Sequence, residues 1–324
     1  MVIKYLIKIR TYSINTHYFV TKSTKTFKLG VYTDYNPALL LIFLMLSYRH
    51  SYHAGNFADV FKHSVQTLII EALKQKTKPF VYFDTHAAAG RYDLSGDKSL
   101  KIAEFENGIK KIWQQDDTPD LLRPYIQIIQ KLNPTGFLKY YPGSPLIAKM
   151  LMPKQYRLDL TDLHPTDFKL LQQEFGNDKN VRVQQIDGYQ NLKATLPPIQ
   201  RRALILIDPP YELKTEYDDS IKAIKQAYKL FSTGIYALWF PIVSRHQTEL
   251  FCAKFKHMGI KKILRIELCV KQDSEEYGMT GTGMIVINPP WKLGEQLQQL
   301  LPWLTKKMKL DDHASYNIEW LVPE

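Results

Sequence analysis

From residue 80 onward, short apolar runs alternate with segments whose apolar residues recur every three or four positions. The runs predict strands over residues 80–86, 156–163, 181–187, 203–208, 235–241, 263–270 and 284–290. Between them, residues 164–175 and 218–231 carry helical spacing, and Thr166 or Asp167 stands where the first of these helices needs a cap. Alternating strands and helices predict a parallel sheet covered on its faces. A short Gly-rich link joins the last two runs, which predicts that the sheet closes with an antiparallel hairpin.

One interval breaks the rhythm. Residues 90–156 are far more than one crossover helix needs, and 99–115 and 121–133 read as helical. They predict a small helical insertion over about 91–140 beside the ligand edge of the sheet; simple padding of the core is an equal reading.

Open α/β sheets bind ligands outside the carboxyl ends of their strands. Here the first strand ends in Asp84-Thr85-His86 before the small residues Ala87 to Gly90, the second offers Asp162, the third Asp187-Gly188, and the fourth Asp208-Pro209-Pro210-Tyr211. Small residues let the backbone turn closely beneath a ligand. Asp162 suits the two hydroxyls of a ribose, and Asp187 an adenine amine. "DTHAAAGRY" lacks G-x-G-x-x-G, so a pyrophosphate cradle is not expected. Taken singly, each acid is more often a loop residue or a helix cap; one at each of four strand ends is a stronger sign.

The corner at Asp208 addresses a specific chemical problem. An exocyclic base amine is a poor nucleophile because its lone pair is delocalised into the ring. A carboxylate and a proline-fixed carbonyl that accept its hydrogens localise that pair. Pro209 and Pro210 set the backbone and remove competing donors, and the face of Tyr211 suits stacking on an extruded base. The layout and the corner together predict a Rossmann-like class I methyltransferase that uses S-adenosylmethionine. A second match, "INPPW" at Ile287 to Trp291, follows the strand expected to run antiparallel and reads as a structural turn.

Composition adds a partner class. The 324 residues carry 43 Lys+Arg against 32 Asp+Glu, a net charge of +11, which favours a polyanion such as nucleic acid. Two cysteines without metal spacing, Cys252 and Cys269, fit a reducing, cytoplasmic setting. Residues 1–44 are basic and lead into "ALLLIFLML", nine apolar residues, against about 20 needed to cross a bilayer. A presequence, a disordered arm and a mistaken start are all open; Met45 stands where a mature start would fall, so 1–44 reads as an extension. Residues 45–79 then read as an arm and a helix starting near Asn56, and 80–324 as the main domain. The arm holds Tyr48, Arg49, His50, His53, Lys62 and His63, with no Cys or carboxylate at ligand spacing. A basic, aromatic strap is therefore expected in place of a metal site, with Tyr48 stacking on a base and Lys62 meeting a phosphate.

The stretches "MLSYRHSYHAGNFADVFKH", "DTHAAAGRY", "YYPGSPLIA", "LTDLHP", "LILIDPPYE" and "GMIVINPPWKL" together resemble the ribosomal large-subunit methyltransferase J family from Met45 to Glu324. That resemblance implies methylation of N6 of adenine 2030 in 23S ribosomal RNA by a monomer with an inserted helical subdomain. It implies cofactor contacts at His63, His86, Ser144, Asp162, Asp187, Gly188 and Asp208. It also implies Asp208 as proton acceptor, Tyr48 on the RNA, and His50 and Lys62 supporting catalysis. Two positions depart from the family pattern: Ala88 replaces the usual Gly and Asp162 the usual Glu. A DNA adenine methyltransferase and a non-catalytic nucleic-acid-binding protein are the alternatives.

Overall fold

A computed structural model describes residues 4–8, 17–23, 26–32, 53–96, 103–274 and 278–324. The chain divides into two units, residues 1–48 and 49–324. In the first, Lys4–Lys8 (β1), His17–Ser23 (β2) and Thr26–Tyr32 (β3) form an antiparallel sheet in that order.

The second unit opens with Phe57–Lys74 (α1), followed by Val81–Asp84 (β4) and Arg91–Asp93 (β5). Arg123–Leu132 (α2), Tyr140–Pro142 (β6) and Ser144–Leu151 (α3) follow. Next come Leu158–Thr161 (β7), Pro165–Phe175 (α4), Val181–Gln184 (β8) and Gly188–Thr195 (α5). Ala203–Ile207 (β9), Thr215–Leu230 (α6), Ile235–Ile242 (β10) and Arg245–Lys256 (α7) complete the parallel part. Ile263–Cys269 (β11), Gly281–Ile287 (β12), Leu293–Met308 (α8) and Ser315–Val322 (β13) end the chain.

One sheet in the order β13-β11-β12-β10-β9-β4-β7-β8 organises this unit. β8, β7, β4, β9 and β10 are mutually parallel, whereas β12 runs antiparallel to both β10 and β11. β4, β7 and β9 are buried along their whole length. Strands covered on both faces read as unbroken apolar runs, which is why β9 stood out, whereas β7 buries Asp159 and Thr161 alongside its leucines. One face packs against α1, α3, α4 and α8, and the other against α5, α6 and α7. This is the α/β class I methyltransferase layout expected. It has eight strands where seven were predicted: β13 is a polar edge strand on β11, mostly exposed or half-buried, and carries no apolar run to betray it.

The helix expected over 99–115 is absent from its described part. Short 3-10 turns, Glu104–Asn107 and Ile109–Lys111, stand there. Gly108 between them adopts φ −124°, ψ −115°, and a Cβ on it would lie 2.0 Å from the Gly55 carbonyl oxygen. The chain leaves its helical path there so that the Ile109 N–H can donate to that carbonyl at 2.8 Å. Phe105, Ile109, Ile112 and Trp113 insert into the main core. α4 is capped by His164, whose Nδ1 accepts from the Asp167 N–H, and not by Thr166 or Asp167. Among the described residues no helix is long and apolar enough to cross a membrane.

Candidate active site

Strand register brings the acids together. Asp84 pairs with Leu160 on one side and Leu206 on the other, so Asp162 and Asp208 each stand two residues beyond it on the flanking strands. Asp187 lies beyond β8, the next strand out. In the order β9-β4-β7-β8, the four carboxylates span three strand spacings, about 14 Å.

Asp208 is anchored from α1. Asn56 caps that helix by accepting from the Asp59 N–H, and α1 is buried on nearly all sides, with Asp59, Lys62, His63 and Gln66 inside. Lys62 Nζ lies 2.5 Å from Asp208 Oδ2 and 2.9 Å from Asp59 Oδ1. Asp59 Oδ2 in turn accepts from the Gly55 N–H. Burial opposes the charged lysine, but the carboxylates of Asp208 and Asp59 outweigh it, so its pKa rises and the ammonium persists. Lys62 Nζ also sits 5.7 Å from the centroid of the Trp239 ring.

The Pro-Pro corner points Tyr211 back over the sheet. Tyr211 takes φ +54°, and its hydroxyl donates to the Trp239 carbonyl at 2.7 Å. Its ring lies 4.4 Å from that of Tyr217 and 5.8 Å from that of Trp239. A left-handed backbone in a bulky residue is a strained state that surrounding contacts must hold, and such states gather at functional sites. Pro209 is buried and Pro210 half-buried beside it.

Asp84 is the hub of the neighbouring strand end. Its Oδ2 accepts from Tyr82 at 2.7 Å and from Ser144 at 2.6 Å, and its Oδ1 from the His86 N–H at 3.3 Å. Gln66 ties Tyr82 to the Ser144 carbonyl from behind. Burial raises the Asp84 carboxyl to about 6 against the pull of the Ser144 and Tyr82 hydroxyls. His86 is held neutral: burial lowers it to about 4, its Nδ1 meets the Thr85 hydroxyl at 2.8 Å, and its ring packs edge-on to Tyr189.

Beyond it, Asp162 accepts from the Ala88 N–H at 2.8 Å and the His164 N–H at 2.7 Å, and burial raises it to about 7. Ala88 sits at φ +49°. Asp187 caps α5, its Oδ1 accepting from the N–H groups of Tyr189 and Gln190. Gly188 is required there, since a Cβ would stand 2.3 Å from the Thr85 carbonyl oxygen.

Not every predicted residue lines this edge. His63 is 1% exposed, its Nδ1 2.7 Å from the Tyr141 hydroxyl, which in turn meets Tyr125. Tyr48 and His50 lie outside the described residues. Sequence reasoning overlooked Asp59, whose helical i,i+3 spacing to Lys62 was visible, and the apolar Leu163 and Ile186. These two stand exposed next to Asp162 and Asp187, and the Gln185 amide reaches the Leu163 carbonyl. "INPPW" does end at the opposite edge: Ile287 pairs with Tyr236 near the start of β10. Among the described residues no cluster of three or more His, Cys, Asp or Glu side chains could hold a metal ion.

Comparison with known proteins shows the family of the chain. Residues 77–322 match the family described as RsmJ: ribosomal RNA large subunit methyltransferase D, RlmJ. The chain is 54% identical over 280 residues to ribosomal RNA large subunit methyltransferase J of Escherichia coli K12, covering 86% of this chain and all of that protein. It is 52% identical over 281 residues to its namesake in Haemophilus influenzae, again over the whole of that protein. A crystal structure from Legionella pneumophila, 40% identical, superposes with a TM-score of 0.77 over 83% of this chain and 98% of that one.

Proposed function

The chain belongs to the ribosomal RNA large subunit methyltransferase family RlmJ, and we propose that it methylates N6 of an adenine in 23S ribosomal RNA, adenine 2030. The observation that carries this reading is the Asp208-Pro209-Pro210-Tyr211 corner, clamped by Lys62 and backed by Tyr217 and Trp239 at the end of β9.

The neighbouring strand ends fit S-adenosylmethionine. The Gly188 cradle under Thr85 leaves no room for a side chain, and Leu163 and Ile186 offer apolar walls between two carboxylates. In this reading Asp162 takes the ribose hydroxyls, Asp187 the adenine amine, and Asp84 with Ser144 and His86 the amino-acid end; His63 borders the site from within the core. When bound, S-adenosylmethionine supplies an electrophilic methyl carbon.

Asp208 and the adjoining proline carbonyl accept the target amine's hydrogens and turn its lone pair outward, and Tyr211 stacks on the extruded ring. As the new N–C bond forms and the donor's sulfur–methyl bond breaks, leaving a neutral thioether, the amine's surplus proton would pass to the Asp208 carboxylate. Lys62 holds that carboxylate in place, while Tyr48 and His50 of the arm meet the RNA.

Incubation of the full chain with a 23S transcript and isotopically labelled donor, followed by mass mapping, tests the assignment. Wild type is expected to label one adenine, and Asp208→Asn to lose about 10²–10⁴-fold in turnover. Labelling of duplex DNA alone, or near-normal turnover by the variant, overturns it.

A further inference from the structure

The sheet carries its charges asymmetrically. Its carboxyl edge holds the four acids of the site, whereas the opposite edge, where the parallel strands begin, is basic. Lys76 and Lys78 precede β4, Arg201 precedes β9, and Lys261 and Lys262 precede β11; Lys292 follows β12, whose antiparallel course ends at this edge. All six are exposed. Because β11-β12-β10-β9-β4 are consecutive, these cations spread over four strand spacings, about 19 Å. Glu324 pairs with Lys262, and Glu295 lies in the first turn of α8, so the balance stays strongly positive.

A helix dipole does not explain Lys292. Lys292 is the N-cap residue of α8, where a cation opposes the positive end of the helix. Next to it stands Trp291, 89% exposed, at the end of the Asn288-Pro289-Pro290 turn. Asn288 is held at φ +53° by bonds from its amide to the carbonyls of Ser232 and Gly234. A large aromatic ring is thus displayed in water on a fixed corner among cations. That is the composition of a surface that tracks a phosphate backbone and stacks on an unpaired base.

We infer that this amino edge is a second RNA-contacting surface, a deepening that rests on the RNA reading above. The six cations meet phosphates and Trp291 stacks on an unpaired base, in a part of the same RNA remote from the target adenine. The eight residues of β10 separate the two edges by about 26 Å, so only a large RNA reaches both.

The test uses the full chain, a domain-sized 23S transcript and a short target hairpin. The triple variant Lys261→Ala, Lys262→Ala, Lys292→Ala is expected to lower the slope of log Kd against log salt by about 2 on the long RNA. Its kcat on the hairpin stays at the wild-type value. Trp291→Ala is expected to weaken long-RNA binding about tenfold, whereas Trp291→Phe and the triple Lys→Arg variant retain it. An unchanged slope and affinity overturns the inference, as does an equal loss on the hairpin or a loss confined to anionic lipid vesicles. Wild-type methylation of RNA with indifferent variants sinks only this inference; no methylation of any RNA by wild type sinks the functional reading with it.

Discussion

Lys62 and Asp208 are separated by 146 positions in the chain and 2.5 Å in the fold. The ammonium stands between two carboxylates, Asp59 and Asp208, with a side-chain exposure of only 4%. Replacing it with Met removes the cation that balances the buried Asp59 charge, and losing one partner of a buried pair costs about 3–5 kcal/mol. Lys62→Met is expected to lower the melting temperature and turnover together. The double variant Lys62→Met, Asp59→Asn should recover stability but not turnover. Calorimetry beside a methyl-transfer assay checks this; recovery of both would make the lysine a purely structural element.

Donor affinity should depend on pH through Asp162. Its carboxyl is raised to about 7, chiefly by burial, so it is protonated below that value and ionised above it. In the role proposed for Asp162 the ionised form accepts from both ribose hydroxyls, hence affinity for S-adenosylmethionine should fall by up to about tenfold per unit as pH drops from 7 to 5. Titration calorimetry across that range would show the trend in wild type and its loss in Asp162→Asn.

His86 links the stability of the fold to pH. Burial lowers it to about 4 in the fold against 6.5 as its ordinary value, so the unfolded chain takes up its proton first. Its contribution is fully present above 6.5 and is lost as pH falls towards 4. Raised carboxyls act the other way: Asp84, at about 6, favours the fold as pH falls through that value. The thermal midpoint of His86→Gln should therefore decline less than that of wild type between pH 6.5 and 4.5, as differential scanning calorimetry would reveal.

Ala88 occupies the left-handed region at φ +49°, where an L side chain costs roughly 1–2 kcal/mol. Part of the relief on replacing it with glycine is offset by the greater freedom of the unfolded chain. Ala88→Gly should still stabilise by about 0.5–1 kcal/mol, with the Ala88 N–H bond to Asp162 retained. Urea unfolding measures this directly, and a lower midpoint would show that the loop is not strained.

Tyr211 separates ring from hydroxyl. Its hydroxyl donates to the Trp239 carbonyl, and its ring packs on Tyr217 and Trp239. Tyr211→Phe removes one hydrogen bond, worth about 1 kcal/mol, and should keep turnover within tenfold. Tyr211→Ala should lose about 100-fold or more in kcat/KM. Equal losses in the two variants would shift the role from stacking to the hydroxyl.

The sequence revealed the parts whose cause is local. β9 announced itself because both of its faces are covered, and the acids at the strand ends could be placed once the strands were. Three features depended on distant partners and were illegible. β13 is a strand because β11 offers it an edge, not because its own residues alternate cleanly. Residues 104–111 break their helical pattern because Gly108 meets Gly55 across the fold. The Lys62–Asp208 contact follows from where α1 packs, and no spacing along the chain encodes that.

α1 rests on β12 and α8, both formed from the final quarter of the polypeptide. The helix that carries Lys62 is therefore supported by α3 and also by segments far downstream of it in the chain. A chain cut before Gly281 would keep both partners of the ion pair and the α3 contact, yet lose the β12 and α8 surfaces on which α1 also packs.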